Sequence, residues 1–516
     1  MIATGRTALG ELAQALRRSP LWSADAAWFA GAAVAAVTLG LIATVATERM
    51  VWLITGAAAG LVLLAFPTTL LWVTTWYALI GTGMLIYFAG LLEADWLLTA
   101  AAAPFWVMAM TAPLKARREL AAPVGAPPFL WLVSLYLALA LATSFVNAES
   151  VAQVLVGLKY YVLMFGVTLA LYLADWERRS ILKLCAGIMA IGVIQLPVAL
   201  YQFVFIRGHR LAVGGRFSGD SEVEASDSVV GTMGGTPMAG GLSDLLALLL
   251  CALLAGVLAL YLKRVLSARA ALALAAVLLF PLLITENKII VVYIPLLALI
   301  VAGGSIRRNP LKATVGILAG LLCVPVILWA YYQIHWSTQY STFEEAVLRM
   351  SVYNIQPAGG ALKREGQLGR TEALEYWAQH QTLGELEHTL FGHGLAAAKA
   401  GSRTVQSSLI QRHGGIQLNF TGLSTLLWEI GIIGTGVLLA ALAAAFAAAG
   451  RLARSPRLSA PEQCVVKTAQ VAIAMVPISL AYQNTLVSWG HASFALFLTL
   501  GLVAYYWRVA GTSAPR

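Results

Sequence analysis

The chain has 516 residues, 59% of them hydrophobic and 11% charged, with a mean hydropathy of +0.79. Values so far from those of soluble domains put it in a membrane and exclude disordered, fibrous and disulfide-scaffold classes. A formal net charge of +10 would suggest nucleic acid in a soluble protein. Here the basic residues are first weighed against loop orientation, and no nucleic-acid partner is expected.

A helix needs about 20 apolar residues to cross the hydrocarbon. Windows of that kind predict spans at 26–46, 50–66, 69–91, 95–113, 128–146, 152–174, 181–206, 239–262, 268–284, 287–303, 312–332, 421–448, 465–486 and 489–509. The chain therefore reads as one all-α polytopic membrane bundle of about 12–14 transmembrane helices. Helices fill 1–206, 239–332 and 421–516, and two insertions, 207–238 and 333–420, separate them. Arg17 and Arg18 precede an apolar run long enough to be a retained first helix rather than a cleaved export signal. With an even number of spans, Lys and Arg concentrate in alternate loops, for example Lys115, Arg117 and Arg118, then Arg178, Arg179 and Lys183, then Arg451, Arg454 and Arg457. This bias predicts both termini on the cytoplasmic side and both long insertions on the outer face. Cys185, Cys251, Cys323 and Cys464 lie in spans or at the inner surface, with neither a disulfide framework nor zinc-ligand spacing.

Charged groups at membrane depth are costly and therefore informative. Lys159, Asp244, Lys288 and Glu429 fall inside or at the edge of predicted spans, all towards the outer face. Each alone could snorkel to the headgroups. Together they favour a polar chamber opening outward.

The first insertion carries Arg207, His209, Arg210, Gly214, Gly215 and Arg216, then Glu222, Glu224 and Asp227, and ends on Val230-Gly-Thr-Met-Gly-Gly-Thr-Pro237. Its glycines allow close backbone approach to an anion and its arginines suit bidentate phosphate contact, although the spacing fits no nucleotide motif. The second insertion is too long for a passive connection and should fold. Between Gly369 and Thr389 its periodicity predicts an amphipathic helix with Ala373, Trp377 and His380 or Gln381 on one face. Five histidines, His335, His380, His388, His393 and His413, lie in this insertion or at its edge. Their spacing is poor for a metal, and no metal or other cofactor is expected.

Four landmarks in order resemble the O-antigen ligase and polymerase superfamily of bacterial envelope glycan synthesis, over roughly residues 150 to 450. Val230-Gly-Thr-Met-Gly-Gly-Thr-Pro237 is similar to a Gly-Thr-Phe-Gly-x-Pro-Asn segment, and Ile284-Thr-Glu-Asn-Lys288 to a Thr-x-Ser-Arg segment. Gly369-Arg370, Trp377 and Leu390-Phe-Gly-His-Gly394 resemble the landmarks of that family's large outer loop, and Glu429-Ile-Gly-Ile-Ile-Gly434 its Glu-Leu-Gly-Leu-Ile-Gly. In two places the chain departs: Lys288 stands where the family has arginine, and Phe420 where its ligases have the catalytic histidine.

The resemblance implies a GT-C-like membrane fold with a large, partly helical outer loop. It also implies a bacterial inner-membrane glycosyltransferase whose donor is an undecaprenyl-diphosphate-linked oligosaccharide. On that reading Arg370, Lys288, Arg216 and Arg210 would bind the diphosphate. His413 or His393 would act as base, with Glu429 as an orienting group or a packing hydrogen-bond partner. A polymerase of repeat units is favoured over a ligase, because the ligase histidine is missing and arginines occur in two separate outer loops. A lipid-linked glycan transporter and an assembly scaffold are the rival classes, and other polysaccharide-assembly proteins are candidate partners.

Overall fold

The computed structural model describes residues 63–116, 125–148, 150–207, 228–235, 242–285, 287–303, 310–337, 340–348, 368–381, 385–399 and 407–512. The first predicted span, nearly all of the second, and Arg210 and Arg216 lie outside them. Regular elements among these residues are all helices. They comprise α1 (Pro67–Ala89), α2 (Ala94–Ala116), α3 (Pro128–Asn147), α4 (Val151–Val162), α5 (Phe165–Leu173), α6 (Arg178–Arg207), α7 (Ser243–Leu262), α8 (Ala268–Ile284), α9 (Ile290–Gly303) and α10 (Pro310–Tyr331). Three short helices, α11 (Arg370–Gln379), α12 (Leu386–Phe391) and α13 (Ser408–Arg412), precede α14 (Gly422–Leu452), α15 (Ala460–Tyr482), α16 (Thr485–Ser488) and α17 (Gly490–Thr512).

Among the described residues, seven helices, α1, α3, α6, α7, α14, α15 and α17, are long and apolar enough to cross a membrane, and α4 with α5, taken as one span bent by 43°, makes an eighth. The chain is thus a multi-pass helical membrane protein. Apolar side chains face outward along these rods: Trp131 is 70% exposed, Phe145 78% and Phe205 63%, as suits helices whose outer surface meets lipid rather than water. Local sequence sets the helix starts. Pro67 and Pro128 occupy first-turn positions where no N–H is needed. Thr421 and Ser424 cap α14 reciprocally, and the Glu462 carboxylate accepts from the Ser459 N–H (2.7 Å) at α15.

The centre of the bundle is α14, which packs on α3 and α15, while α15 packs on α7, α17 on α5, and α5 on α2. The regular ladder fails in five places that matter below. Four are π-helical: Tyr77–Gly81, Leu158–Val162, Gln202–Arg207 and Tyr332–Trp336. The fifth is inside α14, where Gly431 adopts φ 65° and ψ −172° and breaks the helix. Such irregularities free backbone groups and re-aim side chains, and π-bulges concentrate at functional sites.

Candidate functional site

At the break in α14, Gly431 leaves the carbonyls of Trp428 and Glu429 without helical donors, and the second insertion supplies them. The His393 N–H donates to the Trp428 carbonyl (2.8 Å) and the Gly394 N–H to the Glu429 carbonyl (2.9 Å). The contact is backbone on backbone: a Cβ on Gly431 would sit 2.3 Å from the Leu390 oxygen, and one on Gly392 2.4 Å from the Glu429 carbonyl carbon. From the other side, α3 fastens the same turn, with the Asn147 amide donating to the Gly392 carbonyl (3.0 Å) and the Leu395 N–H to Ser144 Oγ (2.9 Å). Phe391-Gly-His-Gly394 and Glu429-Ile-Gly431, two of the landmarks, therefore dock on each other.

This docking buries the Glu429 side chain. Its Oε2 accepts from the Tyr161 hydroxyl (2.7 Å), and Tyr161 lies on the π-helical segment of α4. The backbone N–H groups of Ala396 and Ala398 face the same buried carboxylate. Across from it stands Lys399, 8% exposed at the end of the turn that follows Gly394, with its ammonium 3.1 Å from the centre of the Tyr160 ring. Burial, opposed by Glu429 and Asp95 and aided by Lys159, brings the Lys399 amine down to about 7.

Lys159, next to Tyr160, pairs with Asp95 Oδ2 at 2.6 Å and lies over the faces of Trp96 (4.1 Å) and Tyr160 (4.7 Å). The other Asp95 oxygen accepts from the Gly490 N–H (2.9 Å) and is 3.5 Å from His491 Nδ1. His491 is fully buried, and because a carbonyl only accepts, its Nε2 carries the proton donated to the Met233 carbonyl (2.9 Å).

Met233 belongs to the Val230–Gly235 landmark, which is buried inside the bundle rather than presented to an anion. Two glutamines of α6 occupy its backbone groups. Gln202 Oε1 accepts from the N–H groups of Val230 (2.9 Å) and Gly231 (2.7 Å), and its amide donates to the Gly231 carbonyl (2.9 Å). Gln195 Oε1 accepts from the Thr232 N–H (2.8 Å), and the Thr232 hydroxyl donates to the Leu79 carbonyl (2.7 Å). Gly83 permits this fit, since a Cβ there would lie 2.0 Å from the Thr232 oxygen. A run of buried contacts thus joins Gln202, Gly231, Thr232, Met233, His491, Asp95, Lys159, Tyr160 and Lys399, and Glu429 lies near Lys399 as its electrostatic neighbour. Met233 also lines an apolar cavity of about 400 Å³ between α6, α7, α15 and α17, whose walls include Met189, Leu253, Thr468 and Leu498.

The remaining sequence-selected residues lie around this path. His393 lies tilted against Trp428 and His413 meets it edge-on, at ring-centre distances of 5.8 and 5.1 Å, one position before Glu429. His413 Nδ1 meets the Tyr376 hydroxyl at 3.0 Å, and burial followed by repulsion from His380 holds its imidazole below the ordinary value. Arg370 opens α11, as the amphipathic pattern predicts. It donates Nε to the Tyr482 carbonyl (2.8 Å) and stacks on the Tyr482 ring at 4.0 Å. Lys288 stands 5.6 Å over Trp336. Asp244 is separately satisfied by the hydroxyls of Thr485 (2.7 Å) and Ser479 (3.3 Å).

Among the described residues, no three His, Cys, Asp or Glu side chains are placed to hold a metal ion. Sequence reasoning missed Asp95, His491 and Lys399. The signal for the first two was a polar residue at the first or third position of an apolar window; for Lys399 there was none beyond its charge. No family model matches the chain, and no curated protein matches it.

Proposed function

We propose that the protein is a membrane glycosyltransferase that takes glycan from a polyprenyl diphosphate carrier at the outer face of a bacterial inner membrane, with both termini cytoplasmic. Polymerisation of repeat units on the carrier is the favoured form and ligation to a lipid A-core or other acceptor the alternative. One observation carries the reading. Three of the four landmarks of the glycan polymerase and ligase resemblance, separated by up to about 200 residues of sequence, meet in one buried polar path through Met233, His491, Asp95, Lys159, Lys399 and Glu429.

The apolar cavity that starts at Met233 suits a polyprenyl tail. Arg370 and Lys288, each resting on an aromatic ring, suit the diphosphate. Oxygen-to-carbon glycosyl transfer from such a donor has a good leaving group, so it needs cations at the diphosphate and a base for the acceptor hydroxyl.

A second reading, a proton-coupled carrier of lipid-linked glycan, is favoured by one observation, the buried Asp95–Lys159 pair with His491 beside it. The deciding experiment reconstitutes the purified protein with undecaprenyl-diphosphate oligosaccharide and follows glycan length for wild type and Arg370→Ala. A ladder of longer lipid-linked products that disappears in the variant supports the polymerase. Transfer only on addition of an outer-membrane acceptor supports the ligase, and lipid crossing the bilayer with glycan unchanged supports the carrier.

A further inference from the structure

We propose that the half of the apolar cavity remote from Met233 holds an acyl chain of an anionic glycerophospholipid, whose phosphate rests on Lys467, Lys263 and Arg454. The cavity is long and has two unlike ends. Along α7 its wall runs from Leu245 to Leu260, a rise of about 22 Å, against about 15 Å for half of a bilayer's hydrocarbon core. The end at Met233 is the one that suits the carrier tail proposed above. The other end lies where α7 finishes and α15 begins, lined by Leu260, Pro461, Cys464 and Val465. Ala186 and Pro461, both on the wall of this half, are exposed, so it is open at the side to lipid.

The apolar wall accepts a hydrocarbon chain, and the cations at its rim select the head group. Lys467, half-buried and one turn along α15 from Cys464, donates to Gln470 Oε1 (2.7 Å). Lys263 follows the last residue of α7 and donates to Gln463 Oε1 (2.6 Å). The Gln463 amide is tied in turn to the carbonyls of Ser455 and Leu458, both at 2.9 Å. Lys263 and Arg454 both repel Lys467, and Lys263 also acts on the Cys464 thiol of the cavity wall.

Both ammonium groups thus meet amide oxygens rather than carboxylates. An amide satisfies one of three N–H groups without cancelling the charge. Among the described residues, no carboxylate pairs with Lys263, Lys467 or Arg454. Glu462, the acidic residue closest to Lys467 in sequence, is held by the Ser459 N–H (2.7 Å) and hydroxyl (2.8 Å). Mutually repelling cations at the mouth of a chain-sized groove make a site for an anion that carries its own hydrocarbon, and basic pockets between spans bind anionic lipid heads. In the orientation proposed above this end faces the cytoplasm, away from the proposed transfer, so its anion is a membrane phospholipid rather than the donor diphosphate. The proposal does not depend on the transferase reading.

The test adds dioleoyl phosphatidylglycerol or dioleoyl phosphatidylcholine to delipidated full-length protein in detergent and follows bound lipid by native mass spectrometry. Wild type should retain phosphatidylglycerol at least about tenfold more tightly than phosphatidylcholine. Lys467→Gln and Lys263→Gln should each weaken that retention about fivefold. Ala186→Trp, which puts an indole into the opening, should weaken it as well. Arg412→Gln, an equal loss of charge on α13, should leave it unchanged. Equal retention of the two lipids by wild type overturns the proposal, even if the variants misfold. Lys467→Gln binding like Arg412→Gln also overturns it, as does unimpaired binding by Ala186→Trp, which would place the lipid outside the cavity. Displacement of phosphatidylglycerol from wild type by equimolar undecaprenyl phosphate overturns it too, and leaves the whole cavity to the carrier tail.

Discussion

Replacing Gly431 by alanine tests the claim that a broken helix, rather than side-chain packing alone, builds the polar path. Gly431 sits at φ 65° and ψ −172°, a region open essentially to glycine, and forcing another residue there costs about 1–3 kcal/mol. The added Cβ would also lie 2.3 Å from the Leu390 oxygen, so the turn before His393 must retreat. That retreat stretches the two bonds from His393 and Gly394 to the freed carbonyls, each contributing about 1 kcal/mol. Together these give roughly 3–5 kcal/mol of local destabilisation. Hydrogen exchange followed by mass spectrometry in detergent should therefore show protection across 391–399 falling by roughly two to four orders of magnitude. Gly436→Ala is the control on the same helix. Gly436 has open space around its missing Cβ, so alanine should leave protection unchanged or raise it slightly. Equal behaviour of the two variants would refute the role given to the break.

Three further outcomes follow from named contacts. Gln202→Leu strips partners from two N–H groups and one carbonyl of the Val230–Gly231 backbone, and at about 1–3 kcal/mol for each buried orphan it should lower the thermal unfolding temperature by several degrees; an unchanged transition would mean that water replaces the amide. Asp95→Asn leaves the Lys159 ammonium buried without its counter-ion, at a cost of about 3–5 kcal/mol, and Asp95→Asn with Lys159→Met should recover much of that loss, whereas additive losses would show that the two residues do not act as a pair. The His413 imidazole lies below its ordinary value of 6.5 when folded, so the unfolded chain binds more protons and stability is lost as pH falls below 6.5; limited proteolysis near 370–380 should accelerate between about pH 7.5 and 5.5 in wild type and much less in His413→Gln, and equal acceleration would place the sensitivity elsewhere.

The long spans were legible because twenty-residue apolar runs have few alternatives, and α3, Pro128–Asn147, covers the predicted 128–146. Breaks within spans were not. A π-helical turn such as Leu158–Val162 adds one residue to a run that is apolar on both sides, so composition hardly changes while Lys159, Tyr160 and Tyr161 are redirected inward. Gly431 shows the same limit, since glycine in an apolar helix more often marks close packing than a φ of 65°. Asp95 and His491 were absorbed into the starts of the windows 95–113 and 489–509. Lys399 was indistinguishable from the other cations of its insertion, because its burial depends on a turn clamped by carbonyls that α14 frees only when it breaks.

Charge balance along the path bears on how the proposed transfer would be divided. Two basic residues, Lys159 and Lys399, face two acidic ones, Asp95 and Glu429, so the buried centre offers little attraction to a diphosphate. The cations suited to that anion, Arg370 and Lys288, lie instead on the rings of Tyr482 and Trp336, at the ends of α15 and α10. The apolar cavity touches the path at Met233 rather than at Lys399. In the proposed transfer the tail and the diphosphate would thus occupy separate parts of the molecule, and the segment between them is held by glutamine side chains, helix breaks and the Asp95–Lys159 pair together.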